Sequence, residues 1–188
     1  MRKGEGISGE LNTDAARKHG LPPVAADTAR LLILGSLPGE ASLAAARYYA
    51  HPRNHFWLLI EGVMGEPVAA LDYEARLALV ERRGIALWDV VGSARRGGSL
   101  DTALRDVEAR DLCAFVAGLP ALRAVAFNGA TAARLGRRML GQTALALIDL
   151  PSSSPALTLP IAQKARRWAL LAPYVIDGPA RAAPKPRS

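Results

Sequence analysis

The side chains with most chemical capacity lie in two short stretches. The first is the turn Gly35-Ser36-Leu37-Pro38-Gly39, which closes the aliphatic run Leu31-Leu32-Ile33-Leu34. Its two glycines let the backbone approach a bound group closely, so Gly35, Ser36 and Leu37 can offer main-chain groups to a ligand edge. The second is Tyr48-Tyr49-Ala50-His51-Pro52-Arg53-Asn54-His55-Phe56-Trp57, which carries an amide, two imidazoles and four aromatic rings. Asn54 stands just before an apolar-periodic run, a place where asparagine commonly caps a helix, and spacing alone favours that role. His51 and His55 are four apart, but no acid or cysteine set completes a metal site, so His51 reads as pocket wall and His55 as helix surface. The turn lacks the Lys-Ser/Thr ending of a P-loop and the G-x-G-x-x-G of dinucleotide folds. Asp89 ends another apolar run and either caps a loop or faces the same ligand.

These groups need strands to aim them. Leu31 to Leu34 is a buried strand by its unbroken aliphatic character, and the reading takes it from Arg30. Phe56, Leu59, Ile60 and Val63 follow at i, i+3, i+4, i+7, which predicts a helix from near Arg53 to Gly62 or Gly65. A second helix is expected over about Leu71–Arg83, then a strand over Ile85–Val91 and a loop from Gly92 to Asp101. A helix over Asp111–Ala117, a strand over Arg123–Phe127, a helix over Ala130–Met139, a strand over Ala144–Asp149 and a helix over Ile161–Leu171 complete the alternation. Strands alternating with helices argue for an α/β fold, a three-layer α/β/α sandwich with a central four-stranded parallel sheet. Three irregular segments, 35–54, 89–101 and 150–160, would then gather at one sheet edge, where open α/β folds bind ligands.

Residues 1–28 are polar and glycine-bearing and read as a mobile start with a short helix over Leu11–Lys18. Residues 29–172 form the expected domain, and 173–188 is a basic tail with four prolines, read as disordered. The chain has 188 residues, half of them hydrophobic, enough for one domain with a sizeable core. No run approaches a membrane span and no apolar signal core opens the chain, so a soluble, cytoplasmic protein without a membrane partner is expected. One cysteine, Cys113, rules out a disulfide framework and a four-cysteine iron–sulfur cluster, and it reads as a buried thiol. The net charge of +7 suits a polyanion, though charge alone is weak support.

On the two opening stretches the chain resembles the uracil-DNA glycosylase superfamily, and most closely its hypoxanthine-DNA (deoxyinosine) glycosylase branch. That branch carries a G-S-x-P-G turn followed by Y-Y-A-H-P-x-N-x-F-W, which matches more than ten letters between Gly35 and Trp57. Weaker similarity extends from about Leu21 to Trp168. The resemblance implies a uracil-DNA glycosylase-like fold and a monofunctional DNA glycosylase acting on DNA with deaminated bases, hypoxanthine first and uracil second. It would serve base excision repair as a monomer, with no metal and no cofactor. Monofunctional action is expected because no motif position is a lysine able to form a Schiff base.

The resemblance also assigns parts. Asn54 falls at the branch's catalytic position, where an amide could position water and stabilise an oxocarbenium-like sugar. Tyr49 falls where relatives stack an aromatic ring on the flipped base, against the ordinary alternative of core packing. Asp89 falls at a base-reading position, where its carboxylate could accept from the ring N–H of hypoxanthine or uracil, which adenine and cytosine do not present. Gly35, Ser36, Leu37 and His51 would line the base pocket. Leu150-Pro151-Ser152-Ser153-Ser154-Pro155-Ala156-Leu157 resembles the loop that pinches phosphates and enters the minor groove. Ser152, Ser153 and Ser154 would contact phosphate and Leu157 would be the wedge. Among the basic residues Arg53, Arg95 and Arg96 are the chosen DNA contacts. The well-known uracil enzymes place Asp or Asn where Leu37 stands, and many place His or Asn where Leu150 stands. These departures agree with the hypoxanthine branch and count against strong uracil excision. They also motivate an alternative, a non-catalytic DNA-damage or abasic-site binding protein of the same fold. A small α/β enzyme for a free nucleotide is a third reading.

Overall fold

The computed structural model describes residues 16–101 and 104–176. In chain order it contains β1 (Arg17–His19), β2 (Leu31–Gly35), α1 (Glu40–Ala45), α2 (Phe56–Met64), α3 (Tyr73–Arg82), β3 (Ile85–Asp89) and β4 (Val91–Arg95). There follow β5 (Arg105–Ala109), α4 (Leu112–Ala117), β6 (Ala124–Asn128), α5 (Ala130–Leu140), β7 (Ala146–Leu150) and α6 (Ile161–Trp168), which runs into a 3-10 helix, Ala169–Tyr174.

Every residue of β2 and β3 is buried, as continuous apolar strands require when both sheet faces are covered. The main sheet has four strands in the order β3-β2-β6-β7, all parallel. Side chains alternate across it. Leu31 and Ile33 of β2 join one core with Phe56, Leu59 and Ile60 of α2, Leu79 and Val80 of α3, and Trp168 of α6. Leu32 and Leu34 join the opposite core with Leu112 of α4 and Ala132 and Ala133 of α5. The three-layer α/β/α sandwich expected from the sequence is therefore the observed architecture.

The register brings the strand ends together. Gly35 pairs with Asp89, and Asn128 pairs with Leu150. The chain leaves β2 for β3 on one side and later returns to β6 on the other side, so β2 is a topological switch point. Crevices at such points, beyond the carboxyl ends of the strands, are where α/β folds take ligands.

Several elements differ from expectation. The expected strand over Ile85–Val91 ends at Asp89, and its last residue begins β4, which continues into the segment read as a loop. β4 lies between β1 and β5 in a small antiparallel sheet. β5 is exposed at every residue and β4 contains Gly92, so neither shows an alternating pattern; both exist because they pair across the chain. Arg17 and Lys18, expected in a helix, belong to β1, Ala16 before them is not helical, and residues 11–15 of that expected helix lie outside the described residues. The short α1 interrupts the segment read as irregular. α2 starts at Phe56 rather than near Arg53, because Asn54 to His55 form the lead-in. The last helix changes to 3-10 geometry at Ala169, and Pro173, expected in the tail, lies inside it. The Ile176 N–H donates to the Arg83 carbonyl at 2.9 Å, so 173–176 belong to the domain, and the tail beyond lies outside the described residues. Cys113 is exposed, not buried, with its thiol 3.1 Å from the Met139 carbonyl.

Candidate active site

A pocket of about 440 Å³ opens at the carboxyl ends of the parallel strands. Its wall is built from the turn after β2, the start of α1, the 48–54 segment, Asp89 at the end of β3, the 99–101 loop, Asn128 at the end of β6, and the serine loop after β7. Gly35, Ser36, Leu37, Tyr49, His51, Asn54, Asp89, Ser152, Ser153, Ser154 and Leu157 all line it. Arg53, Arg95 and Arg96 do not.

Asn54 is not the N-cap that its spacing suggested: it stands one residue before His55, which caps α2 without a side-chain bond. Asn54 Oδ1 accepts from the Phe56 N–H at 3.0 Å, a local helix-entry contact, and the residue also lines the pocket. His51 is tied to the same bend, with Nδ1 accepting from the Arg53 N–H at 3.1 Å. Tyr49 sits at a positive φ of 54°, an uncommon conformation for a residue with a side chain. Its ring stacks on Phe56 with centroids 3.6 Å apart and planes 8° from parallel. Core packing and pocket lining thus coexist in one ring.

Asp89 is almost wholly buried. Its Oδ2 has no hydrogen-bond partner, and its Oδ1 lies so close over Gly35 that a Cβ there would clash with it. Burial pushes its pKa up to about 7, offset by Arg110 and Arg96 and reinforced by Asp101. The native state therefore favours the protonated carboxyl. The stability this contributes is complete below the ordinary value of 3.8 and is lost as pH rises towards about 7.

The basic residues sort differently from expectation. Arg96 is 1% exposed, and its guanidinium donates inward to the carbonyls of Leu37 and Pro38. It does not line a DNA track; it satisfies the carbonyls of the Gly35–Gly39 turn. Arg95 is exposed and pairs with Asp106 at 3.4 Å, and Arg53 is exposed at the bend before α2.

The serine loop is similarly divided. Ser153 is buried. Its N–H donates to Asn128 Oδ1 at 2.8 Å, its Oγ accepts from Asn128 Nδ2 at 2.9 Å, and its carbonyl accepts from the His55 N–H at 3.0 Å. That side chain clamps the loop to β6 and to the entry of α2, so the expected phosphate contact does not extend to the Ser153 hydroxyl. Ser152 and Ser154 are half-buried, with each Oγ accepting from a backbone N–H two residues on, at 3.2 Å. From beneath, Lys164 and Trp168 of α6 donate to the carbonyls of Ser154 and Pro151 at 3.1 and 3.0 Å. Lys164 is fully buried, so it too is absent from the surface where basic residues were sought.

Asn128, Asp101 and Tyr48 are among the pocket residues that escaped the sequence reading. Asn128 ends the buried strand β6 as Asp89 ends β3, and that position is the signal that could have marked it. Asp101 accepts from the Ser36 hydroxyl at 2.6 Å across 65 residues of chain, and no local pattern carries that pairing. Tyr48 lines the pocket and donates to the Pro22 carbonyl at 2.9 Å. Burial raises its phenol, with the neighbouring Asp89 adding to the rise, so it stays a neutral donor.

A carboxylate and an amide at the strand ends, a stacked ring and a small-residue turn are the components of a base-binding cleft on an α/β sandwich. The family model for the uracil DNA glycosylase superfamily matches residues 22–172, and the chain belongs to that superfamily. It is 40% identical over 113 residues to a hypoxanthine DNA glycosylase of Methanosarcina barkeri, covering 60% of this chain and 72% of that protein. It is 36% identical over 139 residues to a hypoxanthine DNA glycosylase of Methanosarcina acetivorans, covering 74% of this chain and 87% of the relative. A solution NMR structure of a candidate uracil DNA glycosylase from Methanosarcina acetivorans superposes with a TM-score of 0.74 at 33% identity, covering 84% of this chain and 97% of that one.

Proposed function

We propose that this protein is a monofunctional DNA glycosylase of base excision repair that removes deaminated bases, hypoxanthine before uracil. The observation that carries the reading is the pocket itself, in which the unpartnered Asp89 carboxyl and the Gly35–Leu37 backbone form a polar edge facing a space shared with Tyr49 and Asn54.

The extrahelical base stacks on the free side of Tyr49, extending the Tyr49–Phe56 pair. Asp89 accepts from the ring N–H of hypoxanthine, and adenine, which has only an acceptor at that ring position, leaves the buried carboxylate unsatisfied. A polar mismatch of this kind discriminates far more strongly than a difference in size. Asn54 orients water towards the sugar C1′ and stabilises the positive charge that develops as the bond to the base breaks. The water oxygen bonds to C1′ and loses a proton, while the base leaves with the bonding electrons and is protonated. Ser152 and Ser154 contact backbone phosphate at the pocket mouth, Arg53 adds charge beside it, and Leu157 enters the minor groove.

The test is alkaline cleavage of end-labelled duplexes holding one hypoxanthine or one uracil. Strand breaks at hypoxanthine are expected to form faster than at uracil. Binding to both duplexes with no abasic product from either would favour a non-catalytic damage binder.

The role of Asp89 adds a pH signature. The ionised carboxylate accepts from the ring N–H more strongly than the neutral acid does, so kcat/KM for hypoxanthine is expected to rise with pH and level off above about 7. An Asp89→Asn variant is expected to lose this limb. A wild-type profile flat between pH 5 and 8 would contradict the assignment.

A further inference from the structure

Six large apolar side chains are strongly exposed among the described residues, and two of them, Leu100 and Leu157, line the active-site pocket. Leu157 is 39% exposed and Leu100 is 57% exposed. They reach the mouth from opposite sides of the fold. Leu157 lies in the loop after β7 at one edge of the parallel sheet, and Leu100 lies beyond β3 and β4 at the other.

Leu100 is not a loose loop residue. Ser99 Oγ accepts from the Glu40 N–H at 3.0 Å, pinning the residue before it to the start of α1. Asp101 Oδ1 accepts from the Ser36 hydroxyl at 2.6 Å, pinning the residue after it to the pocket turn. The Leu104 N–H then closes on the Asp101 carbonyl at 3.2 Å. Two anchored polar neighbours hold one apolar side chain outward at the rim of the pocket. Water gives no reason for that arrangement, because an exposed leucine gains nothing there. A stack of bases does: its interior is apolar, and it opens where a nucleotide is drawn out.

We propose that Leu100 is a second insertion residue, entering the base stack of duplex DNA beside the extruded nucleotide from the side opposite Leu157. The proposal rests on the glycosylase reading and deepens it. One leucine would fill the gap left by the flipped base while the other separates the flanking base pair, so that the duplex cannot close before the bond is cut. Such a residue acts only against a paired stack. It touches neither the bond being broken nor the polar edge of the base, and it is a positioning residue for the flipped state.

The experiment measures single-turnover release of hypoxanthine from a fully paired duplex and from the same lesion in an unpaired bubble, with wild type, Leu100→Ala and Leu100→Met. Unstacking a base takes a few kcal/mol, so Leu100→Ala is expected to slow release from the paired duplex by about tenfold and to leave the bubble rate unchanged. Leu100→Met, which keeps an apolar wedge, is expected to retain the paired rate. Equal rates for Leu100→Ala and wild type on the paired duplex would overturn the proposal. An equal loss on both substrates would overturn it as well, since a pocket-wall or folding role slows both. Wild type that releases hypoxanthine from neither substrate would instead remove the glycosylase reading beneath it.

Discussion

Replacing Asn54 with alanine is expected to slow release of hypoxanthine by about 10²–10³-fold while the protein remains folded. The geometry explains how one side chain serves two purposes. An amide oxygen has two lone pairs. The Phe56 N–H occupies one at 3.0 Å, and this contact fixes the side chain at the threshold of α2. The second remains for a water at the pocket wall. The carbonyl dipole is thus held in place before substrate arrives, the condition under which electrostatic stabilisation contributes most to rate. Deleting the amide also removes the helix-entry contact, at about 1 kcal/mol, which the domain should tolerate. Asn54→Asp separates the two effects, because a carboxylate can still accept from Phe56 and from water. It is expected to match wild type in melting temperature and to keep more activity than Asn54→Ala. If Asn54→Ala released base at the wild-type rate, Asn54 would serve the entry to α2 alone, and Asp101 would become the residue to test.

The second large effect is expected at Gly35. A Cβ at this position would clash with Asp89 Oδ1 and lie 3.6 Å from the Tyr49 hydroxyl. Both neighbours are held in place, Asp89 at the end of a buried strand paired to Gly35 itself and Tyr49 stacked on Phe56. Gly35→Ala should therefore destabilise the protein by about 1–3 kcal/mol, the usual cost of overpacking. It should also abolish detectable excision, because relief of the clash moves the carboxylate away from the base edge. Gly62 provides the control. It lies within α2, and a methyl group added there would meet nothing within 4 Å, so Gly62→Ala should stabilise by about 0.5–1 kcal/mol through helix propensity. Urea unfolding and single-turnover excision on both variants check the pair. A Gly35→Ala protein as stable and active as wild type would mean that Asp89 has room to move, and the base-reading geometry would fail with it.

The consequences at Gly35 show where local and distant information meet. The glycine and its turn were legible in the sequence, because an aliphatic run that stops at Gly-Ser-Leu-Pro-Gly can only be a buried strand leaving the sheet. What crowds the glycine was not, since Asp89 arrives by parallel pairing from a strand three helices further along the chain. Asn54 is similar: the sequence offered a cap or a catalytic amide as alternatives, and the folded chain gives the cap position to His55 and leaves Asn54 a helix-entry contact at the pocket wall. Arg96 shows the reverse. Beside Arg95 it looked like half of a basic patch, but Arg95, the last residue of β4, meets Asp106 at the surface, while Arg96, just beyond the strand, turns into the core.

By itself, the sequence determined the four parallel strands, the helices between them, the edge at which the pocket opens and the superfamily. Those properties are written in periodicity and in a dense local motif, which depend on neighbouring residues only. The tertiary structure alone decided which polar groups face the pocket and which hold it together. The Asp101–Ser36 bond, the Asn128–Ser153 clamp, the inward Arg96 and the small sheet of β1, β4 and β5 all join segments distant in the chain. A hydroxyl or guanidinium has the same composition whether it meets solvent, DNA or a buried carbonyl, and only packing, by withholding water, selects its partner.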